Sequence, residues 1–272
     1  MKSKISFFNR GLFRSALRRF WPLWALHFAG WFLFMPMMTL VNSLNKLSSS
    51  EGFVFHLLES GCDAALFAAF IMAALTAMAV FGFMYSSRSA GLIASLPIRR
   101  EAVFGSAWLG GMVPVIASNL LVALLTFLFA LGGEVETTLL LKAVATWFAI
   151  YSMQFTLFFG IACVISVMTG SIVAMPILYI IFNFLAVGME AVVRMYFASL
   201  VWGMNYTFGC ILNILSPFVY FASNNGPDFT FVQIPVEDSF GYTVSKCTAV
   251  SYELWLPLVI YFVVGLLLTA AA

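Results

Sequence analysis

Six long stretches of this sequence carry no Asp, Glu, Lys or Arg: 20–45, 64–87, 102–133, 143–189, 195–227 and 254–272. An α-helix needs ~20 apolar residues to cross ~30 Å of hydrocarbon, and these runs reach that length or come close to it. With 63% of residues apolar and 9% charged, and a mean hydropathy of +1.03, a chain of 272 residues has far more apolar surface than a water-soluble core could hide. It reads as an all-α integral membrane protein. The basic N-terminal start does not lead into a short, small-residue signal region, because the first run is rich in bulky aromatics and continues to about Val41. That run is expected to stay as a first span.

The charges sort by position. Lys2, Lys4, Arg10, Arg14, Arg18, Arg19, Arg88, Arg99 and Arg100 lie in two segments with a single acid, Glu101, whereas Lys46, Lys142, Arg194 and Lys246 share the other polar segments with ten acids. Short cytoplasmic loops collect Lys and Arg, so the two basic segments are expected inside, with the N-terminus cytoplasmic. The run 143–189 is long enough for two crossings and has a turn at Thr169, Gly170 and Ser171. A full crossing by 195–221 would place 222–253 inside, although that segment holds one Lys, no Arg and four acids. A re-entrant pair of helices, broken around Asn205, Gly209 and Ser216-Pro217, keeps it outside. The expected fold is therefore six transmembrane helices near 23–42, 64–85, 104–131, 143–168, 171–188 and 254–272 in a single domain, 1–272, of a plasma membrane. An outer connection runs over 189–253, with a turn at Asn224-Asn225-Gly226-Pro227-Asp228 and a short strand through Phe229, Phe231 and Ile234. No basic anchor follows the last apolar run, so further segments are expected beyond residue 272.

Two cytoplasmic segments are patterned. Over 4–21, Ile5, Phe8, Leu12, Ala16 and Phe20 alternate with Arg10, Arg14 and Arg18 at helical spacing, the signature of an amphipathic interfacial helix. Topological anchoring explains those arginines, and transmission of motion from a cytoplasmic partner is the sharper reading. Between the second and third runs, the segment 85–101 is too long and too patterned for a simple turn. Leu92, Ile93 and Leu96 cluster on a short helix, Pro97 ends it, and Ile98, Arg99 and Arg100 lead into the next span. Exposed apolar side chains beside a cationic pair form a docking knob for another protein.

The run Gly91 followed by Leu96-Pro97-Ile98-Arg99-Arg100, placed between the second and third spans, resembles the coupling-helix region of exporter-type (type 2) permeases of ATP-binding cassette (ABC) transporters. The interfacial helix, six spans and re-entrant outer connection extend that resemblance over nearly the whole chain as architecture, and the chain is similar to the first part of longer permeases of Gram-positive bacteria. The resemblance implies a coupling helix inserted into cytoplasmic ABC ATPase subunits through Gly91, Leu92, Ile93, Leu96, Pro97, Ile98, Arg99 and Arg100. It also implies a second inner contact at 169–171 and a second permease chain, identical or related, as partner. ATP and Mg would be bound by the ATPase subunit, with no cofactor and no metal in this chain.

No GxxxxGK[ST] loop occurs, so ATP hydrolysis would have to come from a separate subunit. Four cysteines form no CxxC or Cys/His cluster, and a Cys62–Cys247 pairing on the outer face is left open. His27 is the one ionisable residue well inside the runs, and hydrogen bonding to a neighbouring helix is its simpler role. Helix contact is likewise the simpler role of Asn119, Gln154, Asn183, Asn205 and Asn213, with a substrate path as the alternative. Gly105, Gly110, Gly111 and Gly160 would allow close helix packing. Abundant Met and Phe suit an amphipathic cargo and a lipid-facing surface equally. The competing functional classes are a secondary carrier or channel without an ATPase, a sensory or structural membrane subunit, and, least supported for want of a polar catalytic cluster, a membrane enzyme. The lipid bilayer is a partner under every reading, and nothing in the pattern points to nucleic acid.

Overall fold

A computed structural model describes residues 9–45, 50–95, 99–131, 136–200, 211–223, 227–235 and 243–272. Helix α1 spans Arg10–Arg19 and α2 Trp21–Phe32, followed by a π-helical turn at Leu33–Met37 and α3 at Met38–Asn45. Then come α4 (Ser50–Val80), a 3₁₀ turn at Gly82–Tyr85, α5 (Ser87–Ala94), α6 (Arg100–Ala130), α7 (Thr137–Thr169) and α8 (Ala174–Leu200). A 3₁₀ turn at Ile211–Leu215, α9 (Pro217–Ser223), strands β1 (Asp228–Pro235) and β2 (Thr243–Ser251), and α10 (Trp255–Ala271) complete the described chain. Five segments are long and apolar enough to cross a membrane: Trp21–Leu44, Gly52–Val80, Arg100–Ala130, Thr137–Thr169 and Ala174–Leu200. This is a multi-pass, almost entirely helical membrane protein. With 17 residues, α10 is ~25 Å long and shorter than the other five.

Contacts between helices set their directions. His27 meets Asn119 and Ala16 meets Gly110, so α2 runs parallel to α6. Trp147 meets Gly61 and Phe158 meets Phe70, so α4 runs parallel to α7. Gly111 lies against Phe159 and Thr76, and Phe104 stacks with Phe81 just past the end of α4, so α6 is antiparallel to that pair. The tight turn after α7 reverses α8, and Gly170 at its C-cap sits at φ 55, a left-handed conformation that glycine adopts without a Cβ clash. Helix α7 lies at the centre, with 72% of its most apolar window buried against 17% for α8. Trp147, Tyr151, Phe155, Phe158 and Phe159 on α7 are among the largest fully buried side chains.

Pro36 sits inside the π-helical turn, where its missing N–H removes a rung of the hydrogen-bond ladder and the turn widens. One turn on, Thr39 Oγ1 donates back to the Met35 carbonyl at 2.9 Å. Helix α4 starts about fourteen residues before the 64 expected from charge, passing through Glu59 and Asp63. Charged residues mark where hydrocarbon ends, but they do not end a helix. Glu59 is partnered one turn back by His56 at 3.3 Å, and Asp63 is exposed. In the same way α8 continues past 188 to Leu200, because Glu190 and Arg194 neutralise each other across one turn at 2.6 Å.

After α8 the described chain returns alongside it. The Leu212 N–H donates to Glu190 Oε2 at 2.7 Å, and the Val187 N–H donates to Ser216 Oγ at 3.3 Å. Helix α9 then inserts Phe218 among Phe67, Phe70, Phe158 and Phe184, at mid-length of α4 and α7. Asn205 and Gly209, where the sequence places a break, lie outside the described residues. The expected strand through Phe229 and Phe231 is present as β1, and it has an antiparallel partner, β2, that the sequence reading lacks. The hairpin covers the start of α4, with Phe229 against Phe55 and Phe231 stacked 4.2 Å from the His56 ring. Of its expected turn, Asn224, Asn225 and Gly226 lie outside the described residues. Cys62 and Cys247 are both buried thiols rather than a disulfide.

Candidate functional site

The end of the bundle that holds the starts of α2 and α6 gathers the basic residues. Among the described residues it carries Arg10, Arg14, Arg18, Arg19, Arg88, Arg99 and Arg100 against the single carboxylate of Glu101. The opposite end carries Glu59, Asp63, Glu136, Glu190, Asp228 and Glu253 with Lys142, Arg194 and Lys246. The bundle is thus electrically polarised along its axis.

Helix α1 begins at Asn9, whose side chain accepts from the N–H groups of Gly11 and Leu12 at 2.9 and 3.2 Å. The Asn9 N–H donates to Ser106 Oγ at 2.8 Å, and Gly110 lets Ala16 approach so closely that an added Cβ would lie 3.0 Å away. These contacts fasten α1 to α6. Its half-buried face is Leu12, Phe13, Ala16 and Leu17, and its exposed face holds Arg10, Arg14 and Arg18. The expected helix over 4–21 is described from Arg10 to Arg19, while Ile5 and Phe8 lie outside the described residues.

Ser86, in extended conformation, starts α5, and the main neighbour of this short helix is the 3₁₀ turn before it. Gly91 is exposed with open space around its Cα, Leu92 is 65% exposed and Ile93 is half-buried. Leu96, Pro97 and Ile98 lie outside the described residues. Arg99 is the extended cap of α6 and Arg100 its first helical residue, both exposed. One contact had no signal in the sequence: the Tyr85 hydroxyl donates to Ser166 Oγ at 3.1 Å, and Ser166 donates to the Ala162 carbonyl. That bond fastens the root of α5 to the last turn of α7, just before the 169–171 turn.

A second grouping lies inside the bundle. The ring nitrogen Nε2 of His27 is 3.0 Å from Asn119 Oδ1, and the ring packs 5.6 Å from that of Tyr151. Trp31 meets Trp147 and Tyr151 edge-on, and Trp147 donates to the Gly61 carbonyl at 3.1 Å. Gln154 is fully buried one turn below Tyr151. On the other side of the bundle, Tyr179 donates to the Phe70 carbonyl at 3.0 Å, and Asn183 bonds the carbonyl of Tyr179 on its own helix. Of these described residues, His27, Trp147 and Tyr179 form bonds between helices, that of Asn183 stays within α8, and no carboxylate lies among them. Among the described residues, no three His, Cys, Asp or Glu side chains gather into a metal-binding group. Comparison with protein-family models, with curated proteins and with solved structures finds no match, so the functional reading of this chain rests on its residues and their geometry.

Proposed function

We propose that this chain is the membrane-spanning subunit of an ATP-driven ABC exporter, coupled to separate cytoplasmic ATPase subunits through the 87–103 segment. The observation that carries the reading is the projection of α5 and the start of α6 from the cationic end. There Leu92 offers an exposed apolar knob and Arg99 and Arg100 an adjacent, exposed pair of guanidinium groups. In this reading six helices cross the plasma membrane, with α10 as the sixth. The cationic end is cytoplasmic, and the 211–223 segment is re-entrant from the outer side. The bond from Tyr85 to Ser166 would make α5 and the 169–171 turn one mechanical unit. A push on α5 would then be delivered to α4 and to the central α7 together. A second permease chain, identical or related, would complete the substrate path.

The test is charge reversal. Arg99→Glu with Arg100→Glu should leave membrane insertion and thermal stability unchanged, because both side chains are exposed and neither is in an ion pair among the described residues. With the chain expressed together with its genetic neighbours, a Walker-motif ATPase should co-purify with the wild type, and the same double variant should weaken that association. Full co-purification and transport by that variant would refute the docking role. Transport by the wild-type chain in ATP-depleted vesicles under an ion gradient would put the carrier reading in its place.

A further inference from the structure

The arginines at the cationic end stand on two levels. Arg99 and Arg100 sit at the tip of α6, whereas α1 is fastened to Ser106 and Gly110, ~9 and ~15 Å further along α6 at 1.5 Å per residue. Helix α1 is thus set back toward the apolar body, and it leads through Phe20 straight into Trp21, where the first membrane-length segment begins. A basic helix in that position lies at the depth of lipid headgroups.

Exposure divides α1 cleanly. Arg10, Gly11, Arg14, Ser15, Arg18 and Arg19 face outward, and Leu12, Phe13, Ala16 and Leu17 are half-buried. The outward face contains an open depression of about 460 Å³ lined by Gly11, Arg14, Ser15, Arg18 and Arg19. Gly11 leaves one end of it without a side chain, and Arg14 and Arg18, one turn apart, flank Ser15. No carboxylate lies on α1, and no ion pair reaches these arginines among the described residues. Arg19 is positioned over the Phe20 ring, its guanidinium carbon 5.3 Å from the centroid, and so is held near the interface.

We propose that the outward face of α1 binds the phosphate of an anionic phospholipid, with Arg14 and Arg18 as the paired donors and the Ser15 hydroxyl between them. Guanidinium groups suit this ligand because each presents a planar fork of donors that engages phosphate oxygens two at a time. The apolar half of α1 stays packed on α6, exposed Trp21 would face the acyl region, and the phosphate would close over the arginines. The setback from Arg99 and Arg100 favours lipid over a protein docked at the tip of α6. This inference holds whether or not an ATPase docks there.

The experiment is spin-label selectivity in nanodiscs of phosphatidylcholine holding the full chain and a trace of spin-labelled phosphatidylglycerol or phosphatidylcholine. For the wild-type chain, the protein-restricted fraction should be several-fold richer in phosphatidylglycerol, and high salt should reduce the ratio, as expected for basic residues at a headgroup surface. In Arg14→Gln with Arg18→Gln the ratio should fall close to one, Arg14→Lys with Arg18→Lys should retain part of it, and Arg99→Gln with Arg100→Gln should leave it unchanged. No preference in the wild-type chain would overturn the proposal without recourse to any variant. So would an unchanged ratio in the Gln pair at α1. If inorganic phosphate removes the preference as effectively as the Gln pair does, while sodium chloride at the same ionic strength leaves most of it, the site reads free phosphate and the lipid assignment is wrong.

Discussion

Three glycines at helix contacts differ in what a methyl group would meet, and this fixes an order of sensitivity. A Cβ at Gly61 would fall 2.0 Å from the Met35 methyl, the far end of a flexible side chain that can swing aside, although in a fully buried pocket. A Cβ at Gly111 would meet the Phe159 ring at 2.7 Å and Thr76 Cγ2 at 2.8 Å, on two different helices, and neither group moves freely. At Gly160 the obstacle is backbone, the Gly265 carbonyl oxygen at 2.4 Å. Overpacking costs about 1–3 kcal/mol in a well-packed interior, so Gly61→Ala should lie at the low end and Gly111→Ala near the top. Apparent melting temperatures of the two variants in detergent should fall in that order. An equal or reversed order would mean that the Met35 methyl is wedged by the π-helical turn rather than mobile. The sequence already marked Gly110, Gly111 and Gly160 as permitting close approach. Gly61 escaped that reading, because the second uncharged run begins only at 64, whereas α4 begins at Ser50.

At the scale of the element, the contact between α7 and α10 is the one most dependent on the absence of side chains. Gly265 lies against Leu157 and Thr156 backbone atoms, at 2.6 to 3.0 Å from an added Cβ, while Gly160 lies against Gly265 itself. Two helices at this separation gain dispersion along their whole contact, and no rotamer change relieves an inserted methyl. Gly265→Val is therefore expected to separate α10 from α7 without unfolding the α4–α7 pair. Hydrogen exchange followed by mass spectrometry should show faster exchange confined to Trp255–Ala271, and uniform acceleration through α4 and α7 would contradict it. Other elements were legible in part. The long helices follow from the uncharged runs, but charge placed their ends too far inward: at α4 the error was about four turns, because a His56–Glu59 contact and an exposed Asp63 are compatible with helix. Alternation in Phe229 and Phe231 gave β1. Its partner β2, Thr243–Ser251, mixes Ser, Lys, Cys, Thr and Ala with little alternation, and only pairing against β1 makes it a strand.

For the whole molecule, polarity along the bundle axis is the property that sequence and structure give independently. The sequence separates basic from acidic segments by the positive-inside rule, and the contacts place α2, α6 and α8 in one direction and α4, α7 and α10 in the other, so that the basic segments meet at a single end. What the sequence could not show is which groups join the two turns at the cationic end, since the bond from Tyr85 to Ser166 spans 81 positions. Nor could it show that α9 reaches the middle of α4 and α7 through Phe218, although acidic residues after 222 pointed to a return on the same side. Sidedness is open to direct measurement. Arg88 is exposed at the cationic end, Glu136 at the start of α7, and Thr248 on the hairpin. Single cysteines at these positions, in a background with the native cysteines replaced, can be challenged with a membrane-impermeant maleimide on intact cells and again after permeabilisation. Glu136→Cys and Thr248→Cys should label on intact cells, and Arg88→Cys only after permeabilisation. If Thr248→Cys instead follows Arg88→Cys while Glu136→Cys labels from outside, the 195–221 run makes a full crossing rather than a return. The acid-rich 222–253 segment would then lie inside against the charge rule, and the orientation of α10 would have to reverse. That reversal would conflict with the start of α10 directly after the hairpin that covers the start of α4, so the labelling pattern tests the packing and the charge argument together.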